Sequence, residues 1–134
     1  MRDYLHTVLK PDELLGLSSL ALAHVGDAVY DLMVRTWLCS EGRQTAKNLH
    51  FETVRRVSAP AQSAAFQRIE GLLNEQERDV FRRGRNAHAH FIPKNASRAE
   101  YCRATGLEAL LGYLYLLGEY DRINELFDVL MNEG

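Results

Sequence analysis

The chain has 134 residues, 46% of them hydrophobic and 25% charged, the composition of one ordinary folded domain. That much apolar side chain excludes a disordered chain. Two cysteines, Cys39 and Cys102, exclude a disulfide scaffold, and a net charge of −2 taken as a bare total speaks against a nucleic-acid binder.

In chain order the pattern predicts helices throughout. β-Branched alternation and Asn-Gly or Asp-Gly hairpin turns are absent. Met1-Arg2-Asp3-Tyr4 carries an early acid and no apolar run, so no signal peptide is expected, and reduced thiols place the protein in the cytoplasm. Pro11 precedes a short helix. A long helix runs from about Ser18 to Cys39; Asp27, His24 and Gly26 interrupt its apolar run and make it a buried helix, not a membrane span. Helices follow from about Thr45 to Val57 and, with Ser58 as N-cap and Pro60 in the first turn, from Pro60 to Leu72. Asn74 and Glu77 form a capping box opening a helix to about Arg85. A loop spans 86–96 and contains His88, His90 and Pro93. Ser97 and Glu100 form a second capping box, opening a helix that reaches Leu117 and stops at Gly118. Asp121 is the expected cap of a last helix ending near Met131. The chain reads as one domain over 1–134.

The net charge hides a pattern. Residues 1–42 carry −3, residues 43–103 carry +6 and residues 104–134 carry −5. The basic block is steepest from Arg78 to Arg103, with seven Lys/Arg against Asp79 and Glu100. Such asymmetry points to a polyanion partner or to a solvated face of mixed charge.

Two acids stand where they are energetically costly. Asp27 is the only formal charge between Leu14 and Tyr30, and Glu108 the only one between Ala104 and Gly118. A carboxylate in apolar surroundings needs an arginine, a raised pKa or a metal ion. Each acid lies near a helical glycine, Gly26 and Gly112. Glycine inside a helix costs about 1 kcal/mol against alanine, and close approach of another helix is its usual return. Two such helices, crossing closely, would present both carboxylates to one hard cation. The alternatives are that the acids are surface residues or pair with Arg35 or Arg103. His24, Asp27, Asp31 and Arg35 share one helical stripe, on which Asp31 and Arg35 are spaced to pair with each other.

At these residues a resemblance appears. Leu22-Ala23-His24-Val25-Gly26-Asp27-Ala28-Val29-Tyr30-Asp31 resembles the ribonuclease III helix that carries a Gly-Asp-Ala-Val core. Leu107-Glu108-Ala109-Leu110-Leu111-Gly112 resembles the family's second acidic motif. Between them, Arg82-Arg83-Gly84-Arg85-Asn86-Ala87 and Pro93-Lys94-Asn95 are similar to the small subfamily called Mini-ribonuclease III, which consists of the catalytic domain without a double-stranded-RNA-binding domain. The larger enzymes place two further acids where this chain has Ala23 and Thr105, so the metal shell is expected to be thin and rich in water.

The resemblance implies an all-α ribonuclease III endonuclease domain, a helical bundle forming a homodimer largely through the first motif helix. It implies cleavage of both strands of an RNA duplex by Asp27 and Glu108 with Mg²⁺, for which Mn²⁺ would substitute, leaving 5′-phosphate and 3′-hydroxyl ends. Arg82, Arg83, Arg85, Asn86, Lys94, Asn95 and Arg98 would contact the duplex. The implied substrate is the 23S ribosomal RNA precursor, at the duplex of its two ends, with room for an accessory ribosomal protein. The competing reading is a non-catalytic helical module that binds structured RNA in ribosome assembly. A third is a protein–protein adaptor, for which no salt-dependent RNA binding is expected.

Overall fold

Between Ala104 and Leu117 nearly every side chain is apolar, and a helix apolar on all sides must be surrounded. The computed structural model, which describes residues 1–42, 45–87 and 94–132, places that segment at the centre. Its seven α-helices are α1 (Pro11–Leu15), α2 (Ser19–Ser40), α3 (Ala46–Val57), α4 (Ala59–Phe66), α5 (Glu75–Arg85), α6 (Arg98–Leu117) and α7 (Tyr120–Met131). A 3₁₀ turn, Glu70–Leu72, lies between α4 and α5, and no strand occurs among the described residues. Helix α6 packs against α1, α2, α4, α5 and α7, and Leu107, Ala109, Leu110 and Leu111 on it are fully buried.

The caps are local, and most fall where the sequence puts them. Ser18, Thr45, Ser58, Asn74 and Ser97 each accept a backbone N–H in the first turn of their helix. Both capping boxes close, and Gly118 ends α6 in the left-handed region at φ 80°. Two expectations are corrected. Helix α4 ends at Phe66, not Leu72: Arg68 and Ile69 donate three residues back, and the chain continues as the 3₁₀ turn. Phe66, Ile69 and Leu73 are all buried, a spacing that one long helix shares with a helix followed by tighter winding. Helix α7 is capped at Glu119, without a side-chain hydrogen bond, so Asp121 lies inside the first turn as an acid favoured by the helix dipole.

The core joins α2, α4, α5, α6 and α7. Phe66 and Phe81 stack at 3.9 Å, and Tyr30 meets Phe127 edge-on at 6.1 Å. Glu77, besides its capping role, is buried and grips Arg122 through two 2.8 Å bonds. The Arg122 bond holds its carboxyl below the usual carboxylate range, against the effect of burial. Arg122 also donates to the Leu72 carbonyl, tying α7 to the 3₁₀ turn. No described helix is long and apolar enough to cross a membrane.

Candidate active site

The site begins with two glycines. A Cβ on Gly26 would lie 1.6 Å from the Glu108 carbonyl oxygen, and one on Gly112 would lie 2.0 Å from the Leu22 carbonyl oxygen. Helices α2 and α6 therefore cross backbone to backbone, at the segments that carry Asp27 and Glu108. Gly26 is spent on this crossing inside the chain, not on an outer face; its neighbour Ala28 is exposed. The sequence pointed to this pair of glycines but not to a second one. Gly84 of α5 fits against Ala109 and Gly106 of α6, and a Cβ on Gly106 would meet the Phe81 ring at 2.7 Å.

Asp27 is exposed and Glu108 half-buried. Burial first, and then the negative charge of Asp27 beside it, push the Glu108 carboxyl up to about 8. Gln62 opposes this by donating its Nε2–H to Glu108 Oε2 at 3.2 Å. The two arginines considered as partners are engaged elsewhere: Arg35 pairs with Asp31 at 2.9 Å, and Arg103 donates to Ser63 Oγ at 2.7 Å. Ala23 is buried and offers no donor atom. Thr105 is buried too, and its hydroxyl donates to the Tyr101 carbonyl at 3.0 Å.

Glu108 opens onto a groove of about 300 Å³ between the α3–α4 junction and the start of α6, lined also by Gln62, Asn95, Tyr101 and Thr105. Asn95 thus lines the same groove as the acid. The other proposed RNA contacts are exposed and stand on nearby elements. Arg82 and Arg83 both pair with Asp79, the latter at 3.0 Å, with side chains 59% and 66% exposed. Arg85 lies over the Phe81 ring and donates to Asn86 at 3.3 Å. Lys94 and Arg98 are exposed at the entry to α6. His88, His90 and Pro93 lie outside the described residues. Gln62 escaped the sequence reading, because its partner is 46 residues away and nothing in Ala59–Phe66 marks it.

As a donor set, two adjacent carboxylates, one exposed and one half-buried, suit a hard divalent cation, which would relieve their mutual repulsion. The described residues contain no cluster of three or more His, Cys, Asp or Glu, so water would have to complete the shell.

The Ribonuclease III domain family model matches residues 20–119. A Mini-ribonuclease 3 from Thermoanaerobacter sp. is 45% identical over 122 residues, covering 91% of this chain and 86% of the relative. One from Symbiobacterium thermophilum is 47% identical over 112 residues, covering 84% and 86%. An X-ray crystal structure of a Fusobacterium nucleatum protein superposes with a TM-score of 0.79 at 30% identity, covering 85% of this chain and 93% of that one. The chain belongs to the ribonuclease III family, in the group of the Mini-ribonucleases 3. It is an endoribonuclease of double-stranded RNA.

Proposed function

We propose that the chain is a Mg²⁺-dependent endoribonuclease that cuts both strands of an RNA duplex and acts in maturing the ends of the 23S ribosomal RNA precursor. The observation that carries this reading is the juxtaposition of Asp27 and Glu108 at the α2–α6 crossing, beside an open groove. The metal, Mg²⁺ or Mn²⁺ in its place, would acidify a bound water and stabilise charge on the scissile phosphate. Asp27 and Glu108 hold it, and both must be ionised to do so. Asn95 on the groove wall orients the backbone of the strand, and Arg82, Arg83, Arg85, Asn86, Lys94 and Arg98 hold the flanking phosphates. A-form RNA is gripped through such backbone contacts and shape.

The protein works as a homodimer over one catalytic domain of 134 residues. The outer face of α2 supports this, since Leu20 and Leu32 are 42% and 53% exposed on the stripe that also carries Ala28. Large exposed apolar side chains on one face mark an association surface. Free Cys39 and Cys102 support a cytoplasmic setting. A ribosomal protein is a further partner compatible with the substrate.

The test is cleavage of a duplex made from the paired 23S precursor ends, across Mg²⁺ and Mn²⁺ concentrations. Staggered products with 5′-phosphate and 3′-hydroxyl termini are expected. Binding without cleavage at every concentration would favour the non-catalytic RNA-binding module, the reading that Ala23 and Thr105 at two usual acidic positions keep in play.

A further inference from the structure

Gln62 is 2% exposed on α4, and its Nε2 reaches two acceptors, the Val57 carbonyl at 2.9 Å and Glu108 Oε2 at 3.2 Å. The Val57 bond fixes which end of the amide is nitrogen, because a carbonyl only accepts. The anchor is firm: Ser58 ends α3 and caps α4 in the same step. Gln62 thus ties the Glu108 carboxylate to the backbone of the α3–α4 junction, while Asp27 adjoins the same carboxylate.

Packing alone does not account for an amide here. Gln62 Oε1 is enclosed without a hydrogen-bond partner among the described residues, and a buried acceptor without a donor weakens a fold. Methionine or leucine would fill a similar volume without that cost. The Val57 bond accounts for the N–H but not for the unpartnered Oε1, and a local rule broken in this way beside Glu108 is a mark of a functional position.

We propose that Gln62 is a positioning residue of this endonuclease, its backbone-anchored N–H holding the Glu108 carboxylate in the orientation in which it and Asp27 share a divalent cation. This rests on the reading of Asp27 and Glu108 as the metal-holding pair. Outer partners of metal ligands typically govern metal affinity by 10–100-fold.

The test is Mn²⁺ titration of the RNA-free protein, followed by the electron paramagnetic resonance signal of free Mn²⁺, with thermal unfolding in EDTA alongside. Gln62→Met keeps the length of the side chain and removes the donor. It is expected to stay folded, to bind duplex RNA as the wild type does in EDTA, and to bind Mn²⁺ about 10-fold more weakly. Gln62→Leu is read in the same way should the methionine variant fail to fold. Mn²⁺ affinity in a folded variant reduced by less than about 5-fold, short of the range for such partners, overturns the proposal; so does loss of folding in both. Glu108→Gln in the same titration separates the two claims. If it leaves Mn²⁺ binding intact, the two-carboxylate reading itself falls. If it abolishes binding while Gln62→Met weakens it by less than about 5-fold, only the role of Gln62 falls.

Discussion

Glu108 carries a cost that the fold does not need. Its carboxyl, pushed from an ordinary 4.5 up to about 8, stays protonated in the folded metal-free chain where the unfolded chain ionises. The unfolded state then binds fewer protons, so stability falls as pH rises from about 4.5 to about 8. Glutamine has the same shape and does not titrate. In EDTA, Glu108→Gln is expected to match the wild type near pH 4.5 and to melt several degrees higher at pH 8. Adding Mg²⁺ should raise the melting temperature of the wild type and leave the variant unmoved. Parallel pH profiles for the two proteins would show that Glu108 is not destabilised by its surroundings. Glu108 and Asp27 were legible in the sequence because each is a single charge in a long apolar run. Gln62, and the Glu77–Arg122 bridge, were not, because partners 46 and 45 residues apart leave no local signature.

At the scale of elements, two glycine contacts set how α6 lies against its neighbours. A methyl group at Gly26 or Gly112 would strike backbone, which cannot rotate away, so α2 and α6 would have to separate. Gly26→Ala and Gly112→Ala are each expected to cost more than about 3 kcal/mol, read as a lower denaturation midpoint. Gly71→Ala is the control: nothing lies within 4 Å of its added Cβ, and the change should be neutral or stabilise by up to about 1 kcal/mol. Equal effects at all three positions would contradict the crossing. Helix starts were legible wherever a side chain caps its own first turn, as at Ser18 and Ser97. The end of α4 was not, because the buried spacing of Phe66, Ile69 and Leu73 fits either winding; the start of α7 has no side-chain cap to read. The Gly84–Gly106 contact was obscured by the arginines around Gly84, which drew the reading toward charge.

Over the whole molecule, a net charge of −2 conceals a +6 centre that includes α5 and the entry to α6. Part of that charge is held in check, since Asp79 binds both Arg82 and Arg83. Exposed pairs of this kind are worth under about 1 kcal/mol and exchange readily for a phosphate. Asp79→Asn is therefore expected to tighten duplex RNA binding, and Arg83→Gln to weaken it while lowering the salt dependence of log Kd by about 1. A salt dependence unchanged by Arg83→Gln would remove α5 from the RNA surface. The proposed function joins this surface to the acid pair: the basic centre would grip the duplex, and Asp27 with Glu108 would cut it. The measurement that tests it most directly is duplex RNA cleavage and binding by Asp27→Asn and Glu108→Gln, side by side with the wild type in Mg²⁺. Both variants should bind RNA with wild-type affinity and the wild-type salt dependence, and neither should cut. Cleavage retained in either variant, or binding lost together with cleavage in a folded one, would contradict the account.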